Sequence, residues 1–122
     1  MQTDKSPKWV FDIDGVITTN PSVIAWLTYH LRYSNQKVIV LTGRNPSRKE
    51  ETLEFLDKAS VYYDEIIFME EDDPRGFANI AKWKVNQLTI LNPLIWIDDN
   101  IKEYKSLIPV EMANLRCITL DI

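Results

Sequence analysis

Short runs of β-branched and apolar residues recur along this chain, with a helix-like stretch in every interval between them. The runs are Trp9 to Asp14, Lys37 to Leu41, Glu65 to Met69, Leu94 to Ile97 and about Arg116 to Leu120. Each is four to six residues long and near-continuously apolar, the pattern of strands buried on both faces. The intervals carry helical signals. Pro21 opens one through Ser34, with Val23, Ile24, Trp26, Leu27 and Leu31 at spacings of three to four; Pro46 opens a second through Ala59, with Leu53 and Leu56 inward. A third covers about Phe77 to Gln87 and a short fourth about Ile101 to Leu107. Strands returned in one direction by crossover helices predict an α/β fold, a doubly wound parallel sheet of about five strands in three layers.

In such sheets ligands sit beyond the carboxyl ends of the strands. Three of the predicted ends are polar: Asp12 and Asp14 on the first strand, Thr42-Gly43 after the second, and Asp98-Asp99 after the fourth. In an extended strand from Trp9 to Asp14, Asp12 and Asp14 point the same way, because side chains alternate faces. Gathered carboxylates repel unless a cation or a shared proton offsets them, and oxygen-only donors suit Mg²⁺. Without clustered histidines or cysteines, zinc is not expected. Thr42 offers a hydroxyl and Gly43 a closely approachable amide, together a grip for a phosphoryl group. Lys82 and Lys84 on the third helix differ by about 200°, so one of the two can face this pocket. The set is that of a phosphoryl-transfer site.

Composition limits the partners. The 122 residues, 45% of them hydrophobic, are expected to form one domain spanning 1–122. A net charge of −4 argues against strong non-specific nucleic-acid binding. One cysteine, Cys117, excludes an intrachain disulfide framework, and no apolar run approaches the roughly 20 residues that span a bilayer. A cytoplasmic protein is expected.

In order along the chain, Asp12-Ile13-Asp14-Gly15-Val16, Leu41-Thr42-Gly43-Arg44, Trp83-Lys84 and Trp96-Ile97-Asp98-Asp99-Asn100 resemble the four motifs of the haloacid dehalogenase superfamily of phosphohydrolases. The resemblance covers nearly the whole chain and implies a Rossmann-like core. It implies that Asp12 is the nucleophile forming an aspartyl-phosphate, and that Asp14 protonates the leaving oxygen and then activates water. It further implies Mg²⁺ held by Asp12, the Asp14 backbone carbonyl and Asp98, with Asp99 direct or through water. Thr42 and Gly43 would hold the phosphoryl group and Lys84, favoured over Lys82 by the Trp-Lys pattern, would offset its charge. That family usually carries a cap after the first or second motif; neither insert is present here, so an open site follows, which a second subunit could cover. The spacing looks most like the polynucleotide 3′-phosphatase branch, and the expected substrate is a nucleotide, a nucleic-acid 3′-phosphate or a small phosphorylated metabolite, although the acidic stretch Glu70 to Asp73 would repel a long anionic strand. Arg44, a candidate substrate contact, could compensate at the mouth together with Arg48 and Arg75.

Two other classes remain. A phosphorelay receiver domain has similar size and residue types, but its lone acceptor Asp belongs on the third strand, which here ends in Met69-Glu70, and its lysine comes late. A catalytically idle relative acting as a binding subunit would keep the same motifs. Trp9, Trp26, Trp83 and Trp96 could stack bases, but each falls in an apolar periodic segment, so core packing is expected of all four. Lone His30 reads as a surface or half-buried residue.

Overall fold

The computed structural model describes residues 6–69, 77–108 and 115–118. Five strands, β1 (Lys8–Phe11), β2 (Lys37–Thr42), β3 (Glu65–Phe68), β4 (Ile95–Ile97) and β5 (Arg116–Ile118), form one sheet in the order β3-β2-β1-β4-β5. All four pairings are parallel. Helices α1 (Pro21–Arg32), α2 (Lys49–Lys58), α3 (Phe77–Leu91) and α4 (Ile101–Tyr104) occupy the intervals, as the sequence predicts. Thr119 and Leu120 of the last predicted strand, and the acidic stretch Glu70 to Asp73 with Arg75, lie outside the described residues.

The alternation of side chains splits the core in two. Phe11, Val38, Val40 and Ile97 point to one face, where Ile24 and Leu31 of α1 and Leu56 of α2 cover them. Val10, Ile39, Leu41 and Trp96 point to the other, under Ala81, Val85 and Leu88 of α3 and Tyr104 of α4. Strands buried on both faces have no use for polar alternation, which is why they read as continuous apolar runs. No cap domain is inserted: a short turn and α1 are all that bridge β1 to β2. Among the described residues no helix is long and apolar enough to cross a membrane.

Two expectations need correction. The first strand stops at Phe11 rather than Asp14. Residues Ile13–Ile17 wind into a single wide turn, with Gly15 at φ +84 in the left-handed region that only glycine enters cheaply. The turn is closed by Thr18 N donating to Ile13 O at 3.0 Å, and by Gly15 N donating to Thr18 Oγ1 at 3.0 Å. Trp26 is not core. At 100° per residue it lies about 200° round the helix from Ile24, so it faces solvent and is 64% exposed, while Thr28 takes the inward position. Trp96 is fully buried, and Trp9 and Trp83 are partly buried against the core.

Candidate active site

The chain runs from β1 to β2 to β3 in one direction across the sheet, then returns over β1 to place β4 on its other side. Strand order therefore reverses between β1 and β4, where a crevice opens at the carboxyl ends of the strands. Asp12 follows β1 and Asp98 follows β4; the Asp12 amide donates to the Ile97 carbonyl at 3.0 Å, locking the two ends side by side. Both carboxylates are buried, Asp98 completely. Lys84 reaches them from α3, its Nζ 3.0 Å from Asp12 Oδ1 and 2.9 Å from Asp98 Oδ2. The remaining Asp98 oxygen, Oδ1, accepts from the Asn100 amide at 3.0 Å. Lys82, two residues along the helix, is exposed, so the choice between the two lysines falls on Lys84.

Asp99 completes the acidic group. One carboxylate oxygen each from Asp12, Asp98 and Asp99 lie within 4.8 Å of one another. A Cβ on Gly15 would come 2.1 Å from Asp99 Oδ2, so the glycine is what admits this side chain to the group. Three ionised carboxylates against one ammonium leave two negative charges, the complement of one divalent cation, and an all-oxygen donor set suits a hard ion.

Burial pushes the Asp12 carboxyl up to about 7, with Asp98 and Asp99 adding to the rise and Lys84 opposing it. Asp99 is raised by burial and by its neighbour Asp98. For Lys84, burial works against the charged form, yet Asp12 and Asp98 outweigh it and the ammonium is held more firmly than in water.

Asp14 behaves differently. The turn that begins after Phe11 carries its carboxylate away from the Asp12 group, and its partner is Arg44, whose Nε and Nη2 donate to Asp14 Oδ2 and Oδ1 at 2.9 and 2.7 Å. The Asp14 side chain is therefore absent from the set of close metal donors, contrary to the reading of two carboxylates on one strand face. Hydrogen bonds from Arg44 hold it below the usual carboxylate range. Arg44 Nη1 donates in turn to Thr52 Oγ1 on α2 at 3.1 Å, which fixes the guanidinium.

A cleft of about 290 Å³ joins these groups, and Asp12, Asp14, Lys84, Asp99, Gly43, Arg44 and Arg48 are among the residues that line it. Thr42 stands behind it, fully buried, with its hydroxyl accepting from the Arg44 amide at 3.1 Å. It shapes the Thr42-Gly43-Arg44 bend and is not among the described residues that line the cleft. Gly43 is, and a Cβ there would lie 3.1 Å from Ile80 Cγ2, so the glycine lets α3 close in.

Tyr104, like Ile80, is a lining residue that sequence reasoning missed. It is buried, its ring stacks on Trp96 at 5.4 Å, and Lys84 Nζ lies 5.7 Å from the ring centroid. Burial pushes its phenol up to about 12. Its only signal was a spacing of three from Ile101 on a short apolar-faced helix.

No family model and no curated protein matches the sequence. Solved structures do. One chain of the Pnkp1/Rnl/Hen1 RNA repair complex superposes with a TM-score of 0.70 at 21% identity over 98% of this chain and 44% of that one. A chain of a second Pnkp1/Rnl/Hen1 complex structure gives 0.70 at 22% identity, over 98% and 48%. The likeness is one of fold. This chain spans less than half the length of those it matches.

Proposed function

We propose that this chain is a phosphomonoesterase of the haloacid dehalogenase type, acting on the phosphorylated end of a nucleic acid. The observation that carries the reading is the junction of β1 and β4: a buried carboxylate, Asp12, held by a buried lysine and grouped with two further aspartates at the mouth of an open cleft. A nucleophilic carboxylate needs a fixed position and a cation to offset the incoming phosphate, and both are there.

In this reading an Asp12 oxygen attacks phosphorus and the ester P–O bond breaks, leaving an aspartyl-phosphate and an alkoxide that takes a proton from Asp14. Water then attacks the aspartyl-phosphate, gives its proton to Asp14, and frees Asp12 and inorganic phosphate. Lys84 balances the charge on Asp12 and the transferred group, and Gly43, which lines the cleft, would offer its amide to the phosphoryl oxygens. Asp12, Asp98 and Asp99, with the Asp14 backbone carbonyl, would hold Mg²⁺, which supplies charge neutralisation at the phosphoryl oxygens.

The nucleic-acid end as substrate is supported by the absence of a cap, which leaves room for a bulky ester, and by a fold shared with chains of an RNA repair complex. A second reading, a catalytically idle binding subunit, is favoured by one observation: Arg44 holds Asp14 ionised where a general acid needs a proton. Phosphate release from a 3′-phosphorylated oligonucleotide and from sugar and nucleoside phosphates, with and without Mg²⁺, separates the two. The phosphatase reading expects turnover that requires Mg²⁺ and vanishes in Asp12→Asn; no turnover on any ester would leave the binding subunit.

A further inference from the structure

Half of the large apolar side chains that are exposed among the described residues lie on α1 or its C-cap: Val23, Trp26, Tyr29 and Tyr33. The three rings are 64%, 54% and 67% exposed and follow one another at helical spacing, with His30 between them. They touch: Trp26 and His30 centroids are 4.6 Å apart, Tyr29 lies edge-on to His30 at 5.5 Å, and to Tyr33 at 5.1 Å. Such tilted contacts leave ring faces uncovered. Nothing in the proposed chemistry uses this strip, and the core does not need it, because Ile24, Thr28 and Leu31 make the inward face.

Charge selects an occupant. From Gly15 to Lys49 the sequence holds no acidic residue and five basic ones, in a chain whose net charge is −4. Arg32 stands beside the strip, over the rings of Tyr33 and Tyr62 at 5.4 and 4.9 Å. At the other end α1 starts at Pro21, a few residues after the turn that carries Asp14, and Arg44 and Arg48 line the cleft there, paired with Asp14 and Glu51. From Trp26 to Tyr33 the helix rises about 10 Å, room for two or three bases.

We infer that the outer face of α1 is a stacking track for single-stranded nucleic acid, with Trp26, Tyr29 and Tyr33 receiving bases upstream of an end seated in the cleft. The inference rests on the reading of a nucleic-acid end as substrate and extends it from the reacting phosphate to the strand behind it. Aromatic rings bind bases of any sequence through their faces, and a helix that carries no acidic residue of its own tolerates the phosphates between them.

The test is fluorescence anisotropy of a 5′-labelled, 3′-phosphorylated ten-nucleotide RNA on the full chain, for the wild type, Trp26→Ala/Tyr29→Ala and Trp26→Phe/Tyr29→Phe. Because these side chains are exposed, thermal unfolding should be little changed. The track expects the alanine pair to bind on the order of tenfold to a hundredfold more weakly and the phenylalanine pair to recover most of the loss. Wild-type-like binding by the alanine pair, an equal loss in both pairs, or no binding by the wild type would overturn it. So would a self-association, seen by sedimentation, that the alanine pair abolishes while RNA binding persists, because the strip would then be a protein interface. Phosphate release from the same RNA is read separately: ring-dependent binding without hydrolysis would sink the phosphatase reading and leave the track standing.

Discussion

Replacing Lys84 with methionine should cost this protein a large part of its stability, and the cost should depend on pH. Lys84 is 3% exposed, and its ammonium lies 3.0 Å from Asp12 and 2.9 Å from Asp98, both buried. Methionine fills nearly the same space but leaves two carboxylates facing each other with their shared cation gone. Removing one partner of a buried ionic group costs about 3–5 kcal/mol. With an unfolding entropy of about 2.1 cal/mol/K per residue, a chain of this size would melt roughly 12–20 °C lower. Asp12 already sits up to about 7 in the folded protein, above its unfolded value, so the folded state binds a proton more tightly than the unfolded chain. Ionisation of Asp12 therefore removes stability as pH rises from the ordinary carboxylate range through about 7. Loss of Lys84 should widen that window upward, so the penalty should be smallest near pH 5 and largest near pH 8. Urea unfolding of wild type and Lys84→Met at those two values checks it, and Lys84→Met/Asp98→Asn should recover part of the loss by removing one charge. A penalty below about 1 kcal/mol at pH 8, or the same penalty at both values, would refute a charge-compensating role for Lys84.

Gly15→Ala should destabilise by about 1–2 kcal/mol for its left-handed backbone and, by evicting Asp99, weaken Mg²⁺ binding ~10-fold or more; calorimetric titration of both proteins checks this, and unchanged affinity would exclude Asp99 as a ligand. Arg44→Gln should let the Asp14 carboxyl climb back toward its ordinary value, read by NMR titration, with a stability cost of no more than about 1 kcal/mol because Asp14 is more than half exposed. The pair's stabilisation is present above the ordinary carboxylate range and lost as pH falls through the lowered Asp14 value, so the variant should differ least from wild type in acid.

The layout of strands and helices was legible because both periodicities are strong: continuous apolar runs for β1 to β4, and paired spacings of three and four for α1 and α2. The gathering of Asp12, Asp98 and Asp99 was legible from strand ends, since parallel strands put all their carboxyl termini on one edge; Lys84, on α3, stood apart from Lys82 only through the Trp-Lys resemblance. The fate of Asp14 was not legible. Its direction depends on where β1 stops, and β1 gives way after Phe11 to the wide turn Ile13–Ile17, which breaks the alternation between Asp12 and Asp14. Trp26 misled for a different reason. Five apolar residues on α1 span more of the helix circumference than the core can cover, and the inward place goes to Thr28, whose hydroxyl is satisfied by donating to Ile24 O at 2.9 Å and accepting from Tyr62 N at 3.2 Å. A polar side chain that bonds its own backbone can be buried, and no periodicity reveals it.

The hydrogen bond from the Asp12 amide to the Ile97 carbonyl joins positions 85 residues apart in the chain. During synthesis, β1, β2 and β3 can pair as soon as they emerge, yet Asp12 then lies on an open sheet edge with neither Asp98 nor Lys84 beside it. The acidic group is therefore a late product of folding: it comes into being only when β4 docks against β1, after most of the chain has left the ribosome. A ribosome-bound chain stalled before residue 95 would hold folded sheet and no site, and slow exchange of the Asp12 amide would report the moment at which the two halves of the protein meet.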